Sequence, residues 1–249
     1  MAKISLDTID TKAPDEFDKE NTKKKTNEIQ EKLDDLQNLL YAENKHSLLI
    51  ILQGMDASGK DSTIRKVFRP FNPLGISVTS FKEPTKEELS HDFLWRIHRN
   101  VPASGSIVIF NRSHYENILI TRVHGWCDNE TAKKRMKAIN DFEELLQLHN
   151  NTTILKFYLH ISREEQKKRF QERLEDPQKH WKFNEKDMEE AKHWDTYMKM
   201  YEDCFEHCNI IPWIIVPSDQ KWYKEFIVGT TIYETLKKLD MKYPTLKKK

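Results

Sequence analysis

Short unbroken apolar runs alternate along this chain with longer stretches in which apolar residues return every three or four positions. The runs at 47–53, 76–81, 106–110, 154–159 and 213–216 have strand length and are rich in Ile, Val, Leu and Phe. Helical spacing is predicted over Glu28–Tyr41, where Ile29, Leu33, Leu36 and Leu40 share a face, and again to Phe68, through Ile64 and Val67. A helix carrying Leu89, Phe93 and Leu94 reaches Asn100, and further helices are predicted over 113–122, 130–149, 162–174, 184–207 and 219–239.

Apolar runs without a polar alternate suit strands covered on both faces, the condition of a parallel sheet. Strands that alternate with helices predict βαβ units. The expected fold is therefore α/β, a three-layer αβα sandwich around a parallel five-stranded sheet. No linker rich in Gly, Ser or Pro interrupts the middle, so one domain is expected over 27–243. Residues 1–26, polar and irregular, are expected to be a flexible segment, and 244–249 a disordered tail. Ligands in such sheets sit beyond the carboxyl ends of the strands, which directs attention to 54–61, 82–86, 111–117, 160–174 and 217–222.

Composition narrows the class. Charged residues make up 33% and hydrophobic residues 37%, so long polar helix faces cover a modest core. A net charge of +1 gives no overall signature of nucleic-acid binding. Three cysteines without a framework spacing argue against a disulfide-stapled secreted protein. Cys204 and Cys208 bracket His207, but no second ligand pair accompanies them, and spacing on a helix face accounts for them better than a metal. No h-region opens the chain and no segment approaches a membrane span, so a cytoplasmic protein without membrane partners is expected.

The densest chemical signal is Gly54-Met55-Asp56-Ala57-Ser58-Gly59-Lys60-Asp61, which follows an apolar strand and opens a helix. It has the G-x-x-x-x-G-K spacing of a P-loop. Its glycines admit close backbone approach to an anion. Amides of Ala57, Ser58 and Gly59, the helix N-terminus and Lys60 then supply positive charge. Where a Ser or Thr normally follows the lysine, this chain has Asp61, and Asp56 adds a second carboxylate within the loop. Two carboxylates beside phosphates repel them unless a cation intervenes, and Mg²⁺ is the natural one.

At the third strand exit the first polar residue is the neutral Asn111, followed by Arg112, whose planar fork suits bidentate phosphate contact. Arg122 lies further along the same segment, as a phosphate ligand or a surface ion-pair residue. His114 either touches phosphate or makes a structural hydrogen bond.

The loop at 54–61, the segment Asn111-Arg112-Ser113-His114-Tyr115-Glu116 and the stretch Pro212-Trp213-Ile214-Ile215-Val216-Pro217-Ser218-Asp219 with Lys221-Trp222 together resemble the polyphosphate kinase 2 family. The resemblance runs from about residue 30 to 240. It implies a fold like that of thymidylate kinase and Mg²⁺-dependent, reversible phosphoryl transfer between inorganic polyphosphate and purine nucleotides (AMP/ADP, GMP/GDP). It also implies phosphate and metal binding by Asp56, Lys60 and Asp61, phosphate binding by Arg112, and a polyphosphate path along Lys66, Arg69 and Lys82. Where the family reads Tyr-Glu-Asp, this chain has Tyr115-Glu116-Asn117. The missing carboxylate puts turnover in question and leaves Glu116 as a further metal candidate. The basic helix around Arg169 and Arg173 corresponds to a lid over 163–183 that closes on phosphates. A homodimer or homotetramer follows the family tendency. The alternatives are an ATP-dependent nucleoside or nucleotide kinase and a catalytically weak phosphate-binding protein.

Overall fold

The computed structural model describes residues 4–246. Five strands, β1 (Ser47–Gln53), β2 (Ile76–Ser80), β3 (Ile107–Asn111), β4 (Thr152–His160) and β5 (Trp213–Pro217), form one parallel sheet in the order β2-β3-β1-β4-β5. The most apolar run, β1, is central, with Ile50 opposite both Ile109 of β3 and Leu155 of β4. The helices in chain order begin with α1 (Lys19–Glu43), α2 (Lys60–Val67), α3 (Lys86–Leu89), α4 (Trp95–His98) and α5 (Ile120–Val123). They continue with α6 (Asn129–Asn150), α7 (Arg163–Glu175), α8 (Glu185–Glu190), α9 (Trp194–His207) and α10 (Lys221–Lys237).

The period of two in the strands divides the core into two layers. Leu48, Ile50 and Leu52 pack with Leu33 and Leu40 of α1, Val67 of α2, and Val228, Ile232 and Leu236 of α10. Leu49 and Ile51 face the opposite way, toward Met136, Ile139, Phe142 and Leu146 of α6 and Tyr197, Tyr201 and Phe205 of α9. The expected three-layer sandwich is the fold observed. After β1 the chain turns into α2 on the first face, whereas after β3 it turns to Tyr115, Ile118 and Leu119 on the second. The crevice between β1 and β3 is thus the topological switch point, where ligands bind in sheets of this kind.

Several boundaries differ from the sequence expectation, each for a local reason. The first helix begins at Lys19, inside the segment expected to be irregular, with Asp18 capping the Asn21 N–H. Its buried stripe there is carried by Thr22 and Thr26, which an apolar-periodicity reading passes over. Ahead of it Leu6 is buried, its N–H donates to Glu202, the Thr11 hydroxyl to Asp219 and the Ala13 N–H to Gln220. The predicted helix over 113–122 is instead a 3-10 turn at His114–Asn117 followed by α5. The helix predicted over 184–207 breaks at a 3-10 turn, Ala191–His193, between α8 and α9. Of the expected tail, 244–246 are exposed and 247–249 lie outside the described residues.

Candidate phosphate-binding site

Strand β1 delivers the chain into Gly54–Gly59 at the switch point. Gly54 takes a φ of +147° and an added Cβ there would sit 2.8 Å from the Leu159 carbonyl oxygen, so the turn admits only glycine. The carbonyl groups of this loop are then engaged one after another by side chains. Lys60 Nζ donates to Gly54 O at 2.8 Å and Met55 O at 3.2 Å. Gln166 of α7 donates to Asp56 O at 2.9 Å. Arg169, one turn further on α7, donates to Ala57 O at 2.8 Å and Ser58 O at 3.0 Å. Lys224 of α10 reaches Ser58 O at 3.4 Å and Gly59 O at 3.1 Å.

A trans peptide directs the N–H of the following residue opposite to each carbonyl. With the carbonyl oxygens held inward by three cations and an amide, the N–H groups of Asp56, Ala57, Gly59 and Lys60 are directed to the opposite side, while the Ser58 N–H folds back to donate to Met55 O at 3.1 Å. Residues Asp56, Ala57, Gly59, Lys60, Asp61 and Ser62 accordingly line a cleft of about 330 Å³. The start of α2 adds its dipole at the same place. Burial lowers the Lys60 ammonium to about 8, with Arg112 acting in the same direction and Asp56 opposing.

Strand β3 supplies the second wall. Arg112 adopts a left-handed backbone (φ 63°), a conformation that costs a non-glycine residue of order 1 kcal/mol and recurs at functional sites. Its guanidinium bonds Asp56 and lies 3.6 Å from Glu116. These carboxylates, Glu116 foremost, hold it firmly protonated. Asp61 accepts from Asn111 at 2.8 Å, tying the first turn of α2 to the end of β3.

Beneath this wall lies a buried polar cluster. Lys156, in the middle of β4, donates to Tyr115 Oη, Glu143 and the Cys208 carbonyl, at 2.8, 2.8 and 2.9 Å. Tyr115 also donates to Glu143 at 2.7 Å. The polar groups of Lys156, Tyr115 and Glu143 are paired with one another, so the cluster pins the turn after Arg112, and only Nδ1 of the adjoining His114 is left without a partner.

The third wall is the expected lid segment. From α7, the 3-10 turn Pro177–Lys182 and α8 come Glu172, Arg173, Lys179, Trp181, Lys182 and Asp187. Arg173 is braced by Asp187 at 2.9 Å and by the Lys182 carbonyl at 3.2 Å. Trp181 is 77% exposed, its ring beside the Lys182 ammonium, and offers a flat apolar surface at the rim. Seven cationic and four acidic side chains line the whole cleft, Lys221 of α10 among the former. The surplus of positive charge suits a polyanion.

Thus Asp56, Ala57, Gly59, Lys60, Asp61, Arg112, Arg169 and Arg173 line one cleft, while Ser58, within the loop, is buried. Other expectations are corrected. Arg169 spends all five N–H donors on protein: Glu165, the two loop carbonyls, and Ser218 O and Asp219 O at 2.7 and 2.9 Å. Although it lines the cleft, its guanidinium is spent on bracing the loop and has no donor left for phosphate.

His114 is fully buried against Glu143 and burial keeps its imidazole neutral, so it is no phosphate ligand. Arg122 pairs with Asp203 and Asn129, outside the cleft. Asn117 folds its amide back onto the His114 carbonyl at 3.3 Å and does not line the cleft. Glu116 lies behind Arg112 in a small recess with Tyr197 and Tyr201, held to the arginine and not to the cleft. Lys66, Arg69 and Lys82 are exposed and outside the cleft lining. The three cysteines are free and buried, Cys204 on α9, Cys208 at its end and Cys127 in the bend before α6.

Sequence reasoning missed Gln166 and Lys224. A signal existed for the second: Lys224 is in register with Val228, Ile232 and Leu236 on the buried stripe of α10.

The family model described as Polyphosphate kinase 2 matches residues 16–244. The chain is 46% identical over 218 residues to the AMP/ADP-polyphosphate phosphotransferase of Meiothermus ruber, covering 87% of this chain and 81% of that protein. It is 46% identical over 228 residues to the ADP-polyphosphate phosphotransferase of Rhodopseudomonas palustris, covering 86% and 78%. Among solved structures, it superposes on Polyphosphate Kinase 2 from Arthrobacter aurescens TC1 with a TM-score of 0.95 at 40% identity, covering 100% of this chain and 90% of that one.

Proposed function

The chain belongs to the polyphosphate kinase 2 family, and we propose that it transfers phosphoryl groups reversibly between inorganic polyphosphate and purine nucleoside mono- or diphosphates, with Mg²⁺. The observation that carries the reading is the cleft itself, which Lys60, Arg112 and Arg173 line together with the loop, an arrangement suited to an anionic chain. Phosphoryl transfer asks a protein chiefly for alignment and charge neutralisation, and needs no nucleophilic side chain.

In this reading the loop amides and Lys60 grip the phosphates of one substrate, and Arg112 and Arg173 hold the other in line. The 3-10 turn at Pro177–Lys182 closes over both, excluding water from an acceptor that must be a nucleotide. Trp181 provides a stacking face for its base.

The donor set at the cleft fits Mg²⁺: Asp56 and Asp61 offer hard oxygen ligands beside the loop. Among the described residues no group of three or more His, Cys, Asp or Glu is gathered for a metal. The two carboxylates would therefore share the ion with phosphate oxygens and water, as Mg²⁺ commonly is shared. When bound, the ion neutralises charge on the transferring group.

Purified protein, polyphosphate and Mg²⁺ with AMP, ADP, GMP or GDP in turn, without ATP, tests the assignment by chromatography of the nucleotides. New di- or triphosphate is expected. Product formed with ATP as donor but none with polyphosphate overturns it in favour of an ordinary nucleotide kinase. Light scattering on the same sample checks the expected homodimer or homotetramer.

A further inference from the structure

Lys224 is fully buried, and its three hydrogen bonds go to neutral oxygens: Ser58 O, Gly59 O and, at 3.3 Å, Ser62 Oγ. A buried ammonium with such partners is expensive to maintain, since desolvation is not offset by an opposite charge in contact. The loop is built around it. Gly59 has a φ of +99°, and a Cβ added there would fall 2.2 Å from Lys224 Nζ. Ser62 donates its own hydroxyl hydrogen to Gly59 O at 2.9 Å, which turns its lone pairs toward the lysine.

We propose that Lys224 is a positioning residue for the phosphate chain: together with Arg169 on Ser58 O, and with the Thr63 N–H and the Thr63 and Ser62 hydroxyls on Gly59 O, its ammonium holds these carbonyls inward and thereby the Gly59 and Lys60 N–H groups toward the cleft. The inference rests on the phosphate-chain reading of the cleft and adds a residue that itself touches no substrate. Only the protonated form can donate to all three oxygens. Burial brings the ammonium down to about 7, helped by Arg169 of α7, Lys221 of α10 and Lys60 of α2, with Glu225 of α10 opposing. The loop therefore loses this brace as pH rises through that range.

Tripolyphosphate is the probe, with affinity measured by calorimetry on wild type, Lys224→Met and Lys224→Arg. Circular dichroism checks that each variant folds. The ratio of Lys224→Arg to wild-type affinity cancels the titration of the ligand and of Lys60. It should rise about tenfold between about pH 6 and about pH 8.5, as only the wild type loses its charge. Lys224→Met should bind about tenfold more weakly than wild type at about pH 6 and lose that deficit at the alkaline end. A flat ratio, or a Met variant that binds like wild type throughout, overturns the proposal.

The wild type alone gives a second readout. The Gly59 and Lys60 amide signals in a nitrogen-15 NMR titration should inflect near 7. Amides blind to that range overturn the proposal even if neither variant folds. Absence of tripolyphosphate binding at every pH overturns the phosphate-chain reading, and this inference with it.

Discussion

Replacing Arg169 with alanine should unfold the protein more easily as well as slow it, because the side chain joins two strand exits. Its guanidinium ties Ala57 O and Ser58 O, after β1, to Ser218 O and Asp219 O, after β5, and is 7% exposed. Removal strands these carbonyls unequally. Ser58 O keeps Lys224 as a donor, and Ala57 and Asp219 are partly exposed, so water can replace part of what they lose. Ser218 is fully buried, and its carbonyl bears a desolvation cost of about 1–3 kcal/mol. Adding about 0.5 kcal/mol for each of the other three gives a loss of about 3 kcal/mol. For a domain of this size that corresponds to a fall in Tm of roughly 6–12 °C. Urea unfolding and calorimetry measure the stability, and steady-state kinetics with polyphosphate measure kcat and kcat/KM. A variant with an unchanged Tm and only a lowered kcat refutes the reasoning and returns Arg169 to the moving lid that the sequence suggested.

Asp61→Asn should raise the Mg²⁺ concentration needed for half-maximal activity by about tenfold or more while the fold stays intact, since Asp61 is exposed at the start of α2; an unchanged Mg²⁺ titration would make this carboxylate structural. Asn117→Asp removes the amide that donates to His114 O and places a charge near the turn after Arg112; kcat should rise about tenfold, and no gain at saturating Mg²⁺ makes position 117 a spectator. Burial depresses the His114 imidazole, so below about pH 6.5 the unfolded chain takes up the proton first and stability falls with acidification. His114→Gln should flatten that slope in unfolding curves measured between about pH 6.5 and 5, and an unaltered slope would show that His114 is not its source.

The sheet, its parallel order around β1 and the phosphate loop were legible because both rest on local patterns, apolar runs and glycine spacing. What escaped were residues whose roles depend on contacts across the chain. Arg169 and Arg173 sit on one basic helix and both line the cleft, yet every donor of Arg169 is spent on protein, a distinction that only the docking of α7 on Ser218 and Asp219 creates. His114 stands two residues from Arg112 but turns inward, because the 3-10 turn replaces the expected helix. Thr22 and Thr26 concealed the start of α1 by carrying a buried stripe on polar side chains. Lys224 and Lys156 offered a fainter cue: each is a lysine at a position where the apolar pattern calls for a hydrophobe.

The inward brace on the loop carbonyls also fixes when, during synthesis, the cleft comes into being. The loop leaves the ribosome early, but Gln166 and Arg169 follow 110 or more residues later and Lys224 about 165. Domains acquire native structure as their partners emerge. A nascent chain that has reached β4 has made the loop and Lys60 without yet making Gln166, Arg169 and Lys224, the donors on the carbonyls from Asp56 to Gly59. If the cleft works as proposed, capture of a phosphate chain is a late event of translation, and products ending before α10 carry the motif without the Lys224 contact on it.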